Sequence, residues 1–439
     1  MFVSILLLCV FIFFIILHLK SQRPNNFPPG PPVLPLLGNI LQLNLENPLK
    51  DFERSYGDVY SIFIGRKPAV VINGMKAVKE AIVTKATDFA GRPQDMFINE
   101  VTQRKGVIMA DYGSSWREHR RFHANLMSST NQKVKPSLTY LSLQLYDTFP
   151  VIRHLPLPFQ KAFKNFEVIL KVMIHFHKET RVPGEPRDFI DCYLDELEKR
   201  DNGSSSFSEE QLIMNSLDLH GAGTDTTSNS LLTGFLYLMN YPHIQERCQQ
   251  EIDRVLEGNC QASFEDRHKM PYTQAVIHEV QRVANTVPTA LHCTTRDTEL
   301  MGYSIPKGTL IIENLTSVLN EEGQWKFPHE FNPENFLNDQ GEFVKPEAFM
   351  PFSAGPRVCL GEGLARMELF LMMVTLLRKF KFIWPEEAGE PDFTQVYGIT
   401  MSPKPYCMKV QLRKKQTHTD IWMWCLENLF HETCFLLPL

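Results

Sequence analysis

The residues with the most chemical content lie in one run, Phe352-Ser-Ala-Gly355-Pro-Arg357-Val-Cys359-Leu-Gly361, directly ahead of a helical stretch from Glu362 to Phe380. A thiol there meets backbone N–H groups and a helix N-terminus, both of which favour thiolate. Thiolate is the form that binds a metal, and a cysteine on haem iron supplies the electron push that favours O–O cleavage. Gly355 and Gly361 permit tight turns and close approach of backbone to a flat ligand. Arg357 can reach a carboxylate on that ligand. A lone cysteine is more often a small buried hydrophobe, which is the reading for Cys9, Cys192, Cys248, Cys260, Cys293, Cys407, Cys425 and Cys434.

A second constellation, Ala222-Gly223-Thr224-Asp225-Thr226-Thr227, falls midway along a helical run from Glu209 to Met239. Gly223 costs such a helix about 1 kcal/mol relative to Ala, and adjacent threonines are mediocre helix formers. Without a side chain at Gly223 a planar ligand can lie close. A threonine hydroxyl can bond back to a preceding carbonyl and bend the helix, and an acid beside that hydroxyl can relay protons. Glu279 and Arg282, three apart on a helix from Tyr272 to Val283, share a face and can pair. Trp116 and Arg120, four apart, also lie on one helical face.

These patterns resemble the cytochrome P-450 family. Its haem-thiolate signature, F-x-x-G-x-R-x-C-x-G, is met at Phe352, Gly355, Arg357, Cys359 and Gly361. The resemblance implies Cys359 as the iron ligand of haem b (iron-protoporphyrin IX). The segment from Ala222 is similar to the family's oxygen-activating helix, A/G-G-x-D/E-T-T, with Ala222 and Gly223 against the haem and Asp225 and Thr226 in the proton-delivery positions. Glu279 and Arg282 match the structural E-x-x-R pair. Its third partner lies in a Pro-Glu-Arg-Phe segment that here reads Pro333-Glu334-Asn335-Phe336, so that corner is expected to be hydrogen-bonded and not ionic. Trp116 and Arg120 match W-x-x-x-R, and with Arg92, His292 and Arg357 they occupy the family's positions for contacts to the haem propionates. Val287 to Leu291, Val396 to Ile399 and part of the loop 93–112 are the substrate-pocket candidates. Arg117, Arg121 and Arg366 suggest a positive face that could steer an acidic electron donor.

The elements that must hold these groups are mainly helical with a minor sheet, as the family's α-rich haem domain would require. Asp58 to Gly65, Ala69 to Asn73, Glu299 to Tyr303 and Thr309 to Asn314 read as strands. Leu49 to Tyr56 and Lys76 to Thr84 read as helix, Ser114 and Ser115 can cap another through Arg121, and helical periodicity dominates from Phe159 to Leu256. The chain has 439 residues, 43% hydrophobic, enough for a sizeable core, and its net charge of -5 argues against nucleic acid as a partner. Its 9 cysteines show no CxxC or zinc-type spacing, which fits a reducing, cytosolic setting.

Phe2 to Leu19 is apolar apart from Ser4 and His18 and would span about 27 Å as a helix. Lys20 and Arg23 behind it place the rest of the chain on the cytosolic side. The organisation expected is an anchor in the endoplasmic-reticulum membrane over 1–20, a proline-rich hinge over 21–32, a catalytic domain over 33–413 and a tail over 414–439. Two departures from the family stand out. About 70 residues, room for three or four helices, are missing near 122–145, leaving the helical core incomplete. The tail, with Ile421-Trp-Met-Trp-Cys425, matches nothing in the family and reads as an aberrant extension, ahead of a second membrane contact.

The resemblance implies a monooxygenase that places one oxygen atom in an apolar xenobiotic, fatty acid or steroid. Electrons would come from NADPH through NADPH-cytochrome reductase, with cytochrome b5 as an additional partner and membrane lipid around the anchor. Two rivals stand beside it. One is a haem-thiolate isomerase or dehydratase, against which the intact Asp225-Thr226 argues. The other is a non-catalytic or misfolded chain lacking core helices.

Overall fold

The computed structural model describes residues 23–43, 49–126, 158–200, 206–257 and 261–413. The expected anchor, most of the junction near 122–145 and the tail lie outside them. Among the described residues no helix is long and apolar enough to cross a membrane.

A helix of 32 residues, Glu209–Asn240, runs through the molecule. Ser208 caps it by accepting the Gln211 N–H at 3.1 Å. Its length, about 48 Å, lets it serve two cores. Leu231, Phe235, Leu238 and Met239 on its last turns pack with the helices Pro242–Leu256, Pro271–Ala284 and Glu362–Lys379, through residues such as Ile252, Val276, Val280, Met373 and Leu377. Leu212, Ile213 and Met214 on its first turns join a smaller cluster with Leu170 and Ile174 of the helix Pro158–Thr180 and Ile190, Tyr193 and Leu194 of the helix Phe189–Lys199. The stretch expected to be helical from Phe159 to Leu256 is thus four helices. Pro183 and Gly184 lie in the first break, and Pro242 starts the last helix as its N1 residue.

The first six strands are β1 (Val59–Ile64), β2 (Lys67–Ile72), β3 (Thr289–Cys293), β4 (Thr298–Leu300), β5 (Tyr303–Ile305) and β6 (Leu310–Asn314), and four short ones follow in two pairs, Phe380–Ile383 with Lys409–Leu412 and Gln395–Val396 with Ser402–Pro403. One sheet has the order β1-β2-β6-β3, with only β2 and β6 parallel. The expected strand Glu299 to Tyr303 is instead a tight hairpin of β4 and β5. Met301 and Gly302 turn it with φ of 49° and 85°, the left-handed pair that suits the strand twist. The proline segment is more than a linker. Ser61 N donates to Pro29 O at 2.7 Å, Arg23 Nη2 donates to Pro31 O at 2.8 Å, and Phe27 is buried in the larger core. A Cβ on Gly30 would lie 1.9 Å from Ser61 O, so this approach requires glycine.

Behind the cysteine loop, Arg282 donates twice to Glu279, each bond 2.7 Å, with both side chains fully buried. Arg282 also donates to the carbonyls of Leu319, Pro328 and Glu330. Asn335 Nδ2 donates to both Glu279 oxygens at 3.2 and 3.3 Å, and Asn332 N donates to one of them at 2.8 Å. Burial raises the Glu279 pKa, and the guanidinium and these donors oppose it. The pair is a fully hydrogen-bonded unit, the condition under which a buried ion pair is tolerated.

Candidate active site

The cysteine loop is built on a turn that requires glycine. Gly355 has φ +68°, and a Cβ there would lie 1.9 Å from Ile82 O. Val358 N donates to Gly355 O at 3.1 Å, and Cys359 N donates back to Phe352 O at 2.9 Å. The helix Glu362–Lys379 follows with Gly361 as its N-cap. Cys359 is exposed, although protein atoms crowd around its side chain. Burial raises its pKa, outweighing the N–H groups of Gly361 and Glu362 and the charge of Arg120, which lower it. The sequence had pointed to a depressed pKa. Its donors are present, but desolvation, which only the fold reveals, is the larger effect. A bound cation would favour the anion.

Three guanidiniums crowd the same region. Arg357 is buried, donates from Nε to Ala90 O at 2.8 Å and from Nη2 to Ala110 O at 2.9 Å, and lies 4.1 Å from the ring centre of Trp116. Trp116 Nε1 donates to Val107 O at 3.0 Å. Arg92 donates to Ile108 O at 2.8 Å and to Leu291 O, and Arg120 donates to Val358 O. Burial pushes Arg357 down to about 9 and Arg92 to about 10, and repulsion among the three arginines adds to it. His292 spends both ring nitrogens inside the protein, Nδ1 at 3.0 Å from Phe89 O and Nε2 at 3.3 Å from Glu313. Arg366 pairs with Glu362 at 2.7 Å, while Arg117 and Arg121 are exposed.

On the long helix, Gly221, Ala222 and Gly223 are exposed, and a Cβ on either glycine would meet nothing within 4 Å. Thr226 Oγ1 donates back to Ala222 O at 2.8 Å. Asp225 accepts from Asn229 Nδ2 at 3.1 Å and from Thr400 Oγ1. Thr400 ends the segment whose Val396 and Ile399 are exposed by 49% and 55%, apolar surface beside the glycine shelf. Met401 N donates to Thr286 O at 2.8 Å, and Thr286 Oγ1 lies 3.1 Å from Ser230 Oγ. These bonds draw together the helix, the Val396–Ile399 segment and the start of Val287–Leu291.

Two acids escaped the sequence reading. Asp218 accepts the N–H groups of Val107 and Ile108 at 2.7 and 3.0 Å, tying the loop 93–112 to the long helix. Burial raises its pKa to about 6 against those two donors. Its signal was available: it stands seven residues, two turns, before Asp225. Glu313 is the second, a charge closing the apolar run Leu310-Ile311-Ile312.

An exposed thiol at a helix N-terminus, three under-neutralised guanidiniums and an open glycine shelf suit a flat, doubly anionic group carrying a metal. Cys359 would hold its iron, and Arg92, Arg120, Arg357 and Trp116 would face its carboxylate end. The family model for cytochrome P-450 matches residues 28–141 and 128–410. Cytochrome P-450 2D28 of Mesocricetus auratus is 38% identical, with 92% of this chain and 96% of that protein covered. Vitamin D(3) 25-hydroxylase of Sus scrofa is 37% identical, covering 92% and 97%, and cytochrome P-450 2D6 of Homo sapiens is 37% identical, covering 89% and 94%. The chain belongs to the cytochrome P-450 family, with haem b as its cofactor, a redox partner as its electron source and monooxygenation of a small molecule as its reaction.

Proposed function

We propose that this monooxygenase oxidises an apolar small molecule of the xenobiotic, fatty-acid or steroid kind, taking electrons from NADPH through NADPH-cytochrome reductase with cytochrome b5 as a second donor. The endoplasmic-reticulum membrane would hold it through residues 1–20, with the catalytic domain on the cytosolic side. The observation that carries the substrate class is the exposed apolar surface of Val396 and Ile399, hydrogen-bonded through Thr400 to Asp225 beside the glycine shelf. A relative named for 25-hydroxylation of vitamin D(3) supports it.

Bound at Cys359, haem supplies the activation of dioxygen. The residues supply the rest. Asp225, steadied by Asn229 and Thr400, would hand protons toward the shelf, and the Thr226 hydroxyl would relay them once it turns from the Ala222 carbonyl that accepts its hydrogen bond. Arg92, Arg120 and Arg357, with Trp116, orient the carboxylate end, and His292, its ring nitrogens held by Phe89 O and Glu313, backs them from inside the protein. Phe352 and Gly361 bound the cysteine loop, and Glu279, Arg282 and Asn335 keep its backing rigid.

The domain reading, 33–413 with a stretch absent near 122–145, is supported by the two-piece family match and by an alignment of 484 positions, more than the chain has residues. The test is reconstitution with reductase, NADPH and a panel including vitamin D(3) and fatty acids. Expected is a hydroxylated product that requires NADPH and dioxygen. Asp225→Asn and Thr226→Ala should keep consuming NADPH while forming at least about tenfold less product. Reductase-free conversion of a lipid hydroperoxide would instead favour the isomerase or dehydratase reading.

A further inference from the structure

Glu313 is the penultimate residue of the buried strand β6, in register with Ala290, and its side chain has no exposure. An ionisable group in such a place is tolerated only if it is hydrogen-bonded or paired. Its partners come from two other segments. Ser353 Oγ donates to its two oxygens at 2.9 and 3.2 Å, and His292 Nε2 lies 3.3 Å from Oε2. The other ring nitrogen, Nδ1, lies 3.0 Å from Phe89 O.

The proton count follows from these partners. A carbonyl only accepts, so Nδ1 carries a proton. The contact between Nε2 and Oε2 needs one further proton, on the imidazole or on the carboxyl, shared between His292 and Glu313. Arg92 faces both groups electrostatically, with Arg120, Arg357 and Asp111 behind it. Ser353 extends the connection to the cysteine, because the neighbouring Phe352 carbonyl accepts the Cys359 N–H at 2.9 Å.

We propose that Glu313 is a positioning residue of the haem site, holding the His292 ring and the Ser353 turn of the cysteine loop in one buried network and so fixing the approach of Cys359 to iron. This rests on the reading of Cys359 as the haem ligand.

The test uses the full-length, haem-loaded protein with two variants. Glu313→Gln keeps the geometry, because an amide donates to a neutral Nε2 and accepts from Ser353. Glu313→Ala leaves both partners buried and unsatisfied. Expected for Glu313→Ala is haem loss about tenfold faster and a smaller fraction of the reduced carbon-monoxide complex with the thiolate-type Soret band. Glu313→Gln should restore both. A role confined to overall stability would lower the melting temperature of Glu313→Ala without changing that fraction, and this outcome overturns the proposal.

If the wild-type chain takes up no haem, the functional reading fails, and thermal melts of the same chain still decide on the network. Glu313→Leu should lower the melting temperature of the wild type and raise that of a His292→Phe/Ser353→Ala background, where the acid has lost its partners. The same shift in both backgrounds would refute the network.

Discussion

The two ends of the long helix Glu209–Asn240 live in different surroundings. Its C-terminal half lies against helices whose inward faces are covered, next to a Glu279–Arg282 pair with every charge satisfied. Its N-terminal half shares a smaller cluster with the helix Pro158–Thr180, which buries Leu170 and Ile174 on one face. On another face that helix presents Val168, Ile169, Val172, Met173 and Phe176 to solvent, with exposures of 43–64%. A helix apolar on two faces calls for two partners, and the described residues supply one. Among the described residues, the half that carries the cysteine loop is therefore finished, and the half around Pro158–Thr180 is open.

The largest effect is expected in the finished half. Arg282→Ala strands Glu279 in the core and should cost about 3–5 kcal/mol, read as loss of soluble, protease-resistant protein. In the open half, Ile174→Ala should cost about 2–5 kcal/mol by denaturant melting. Val172→Ala, two residues away on the exposed face, should stay within about 0.5 kcal/mol. Equal costs at 172 and 174 would show that the exposed face is covered after all.

Acid should loosen the open half next. Burial lowers the His123 pKa from 6.5 to about 4, and His119 is also lowered, so the folded state binds fewer protons than the unfolded chain between those pH values. Stability is complete above pH 6.5 and falls as pH drops toward 4, by at most about 3 kcal/mol for His123. Limited proteolysis at pH 7 and pH 5 should show earlier cleavage around residues 158–200 in acid, and His123→Phe should flatten the difference. His278 in the finished half is lowered to about 3, so some acid loss there is expected too, against a larger packed core. The smallest effect is at Phe176→Lys, which should leave the melting point almost unchanged while reducing self-association in ultracentrifugation.

Much of this arrangement is legible in the sequence. The pattern around Cys359 locates the loop, and the periodicities give Glu209 to Met239 and Tyr272 to Val283, each within a residue of the helices observed. The back-bond of Thr226 also follows from residue types. Less legible is whatever depends on distant neighbours. Burial, not local donors, sets the direction of the Cys359 pKa. The β4–β5 hairpin turns on backbone conformations at Met301 and Gly302 that an apolar pattern does not announce. Asp218 and Glu313 look like isolated acids until the fold brings Val107, Ile108, Ser353 and His292 to them.

The most direct test of the central claim is the reduced carbon-monoxide difference spectrum of the full-length chain supplied with haem. A thiolate-type Soret band in the wild type, absent from Cys359→Ser, is the predicted result. No such band in the intact wild-type protein, or a band that survives Cys359→Ser, would contradict it.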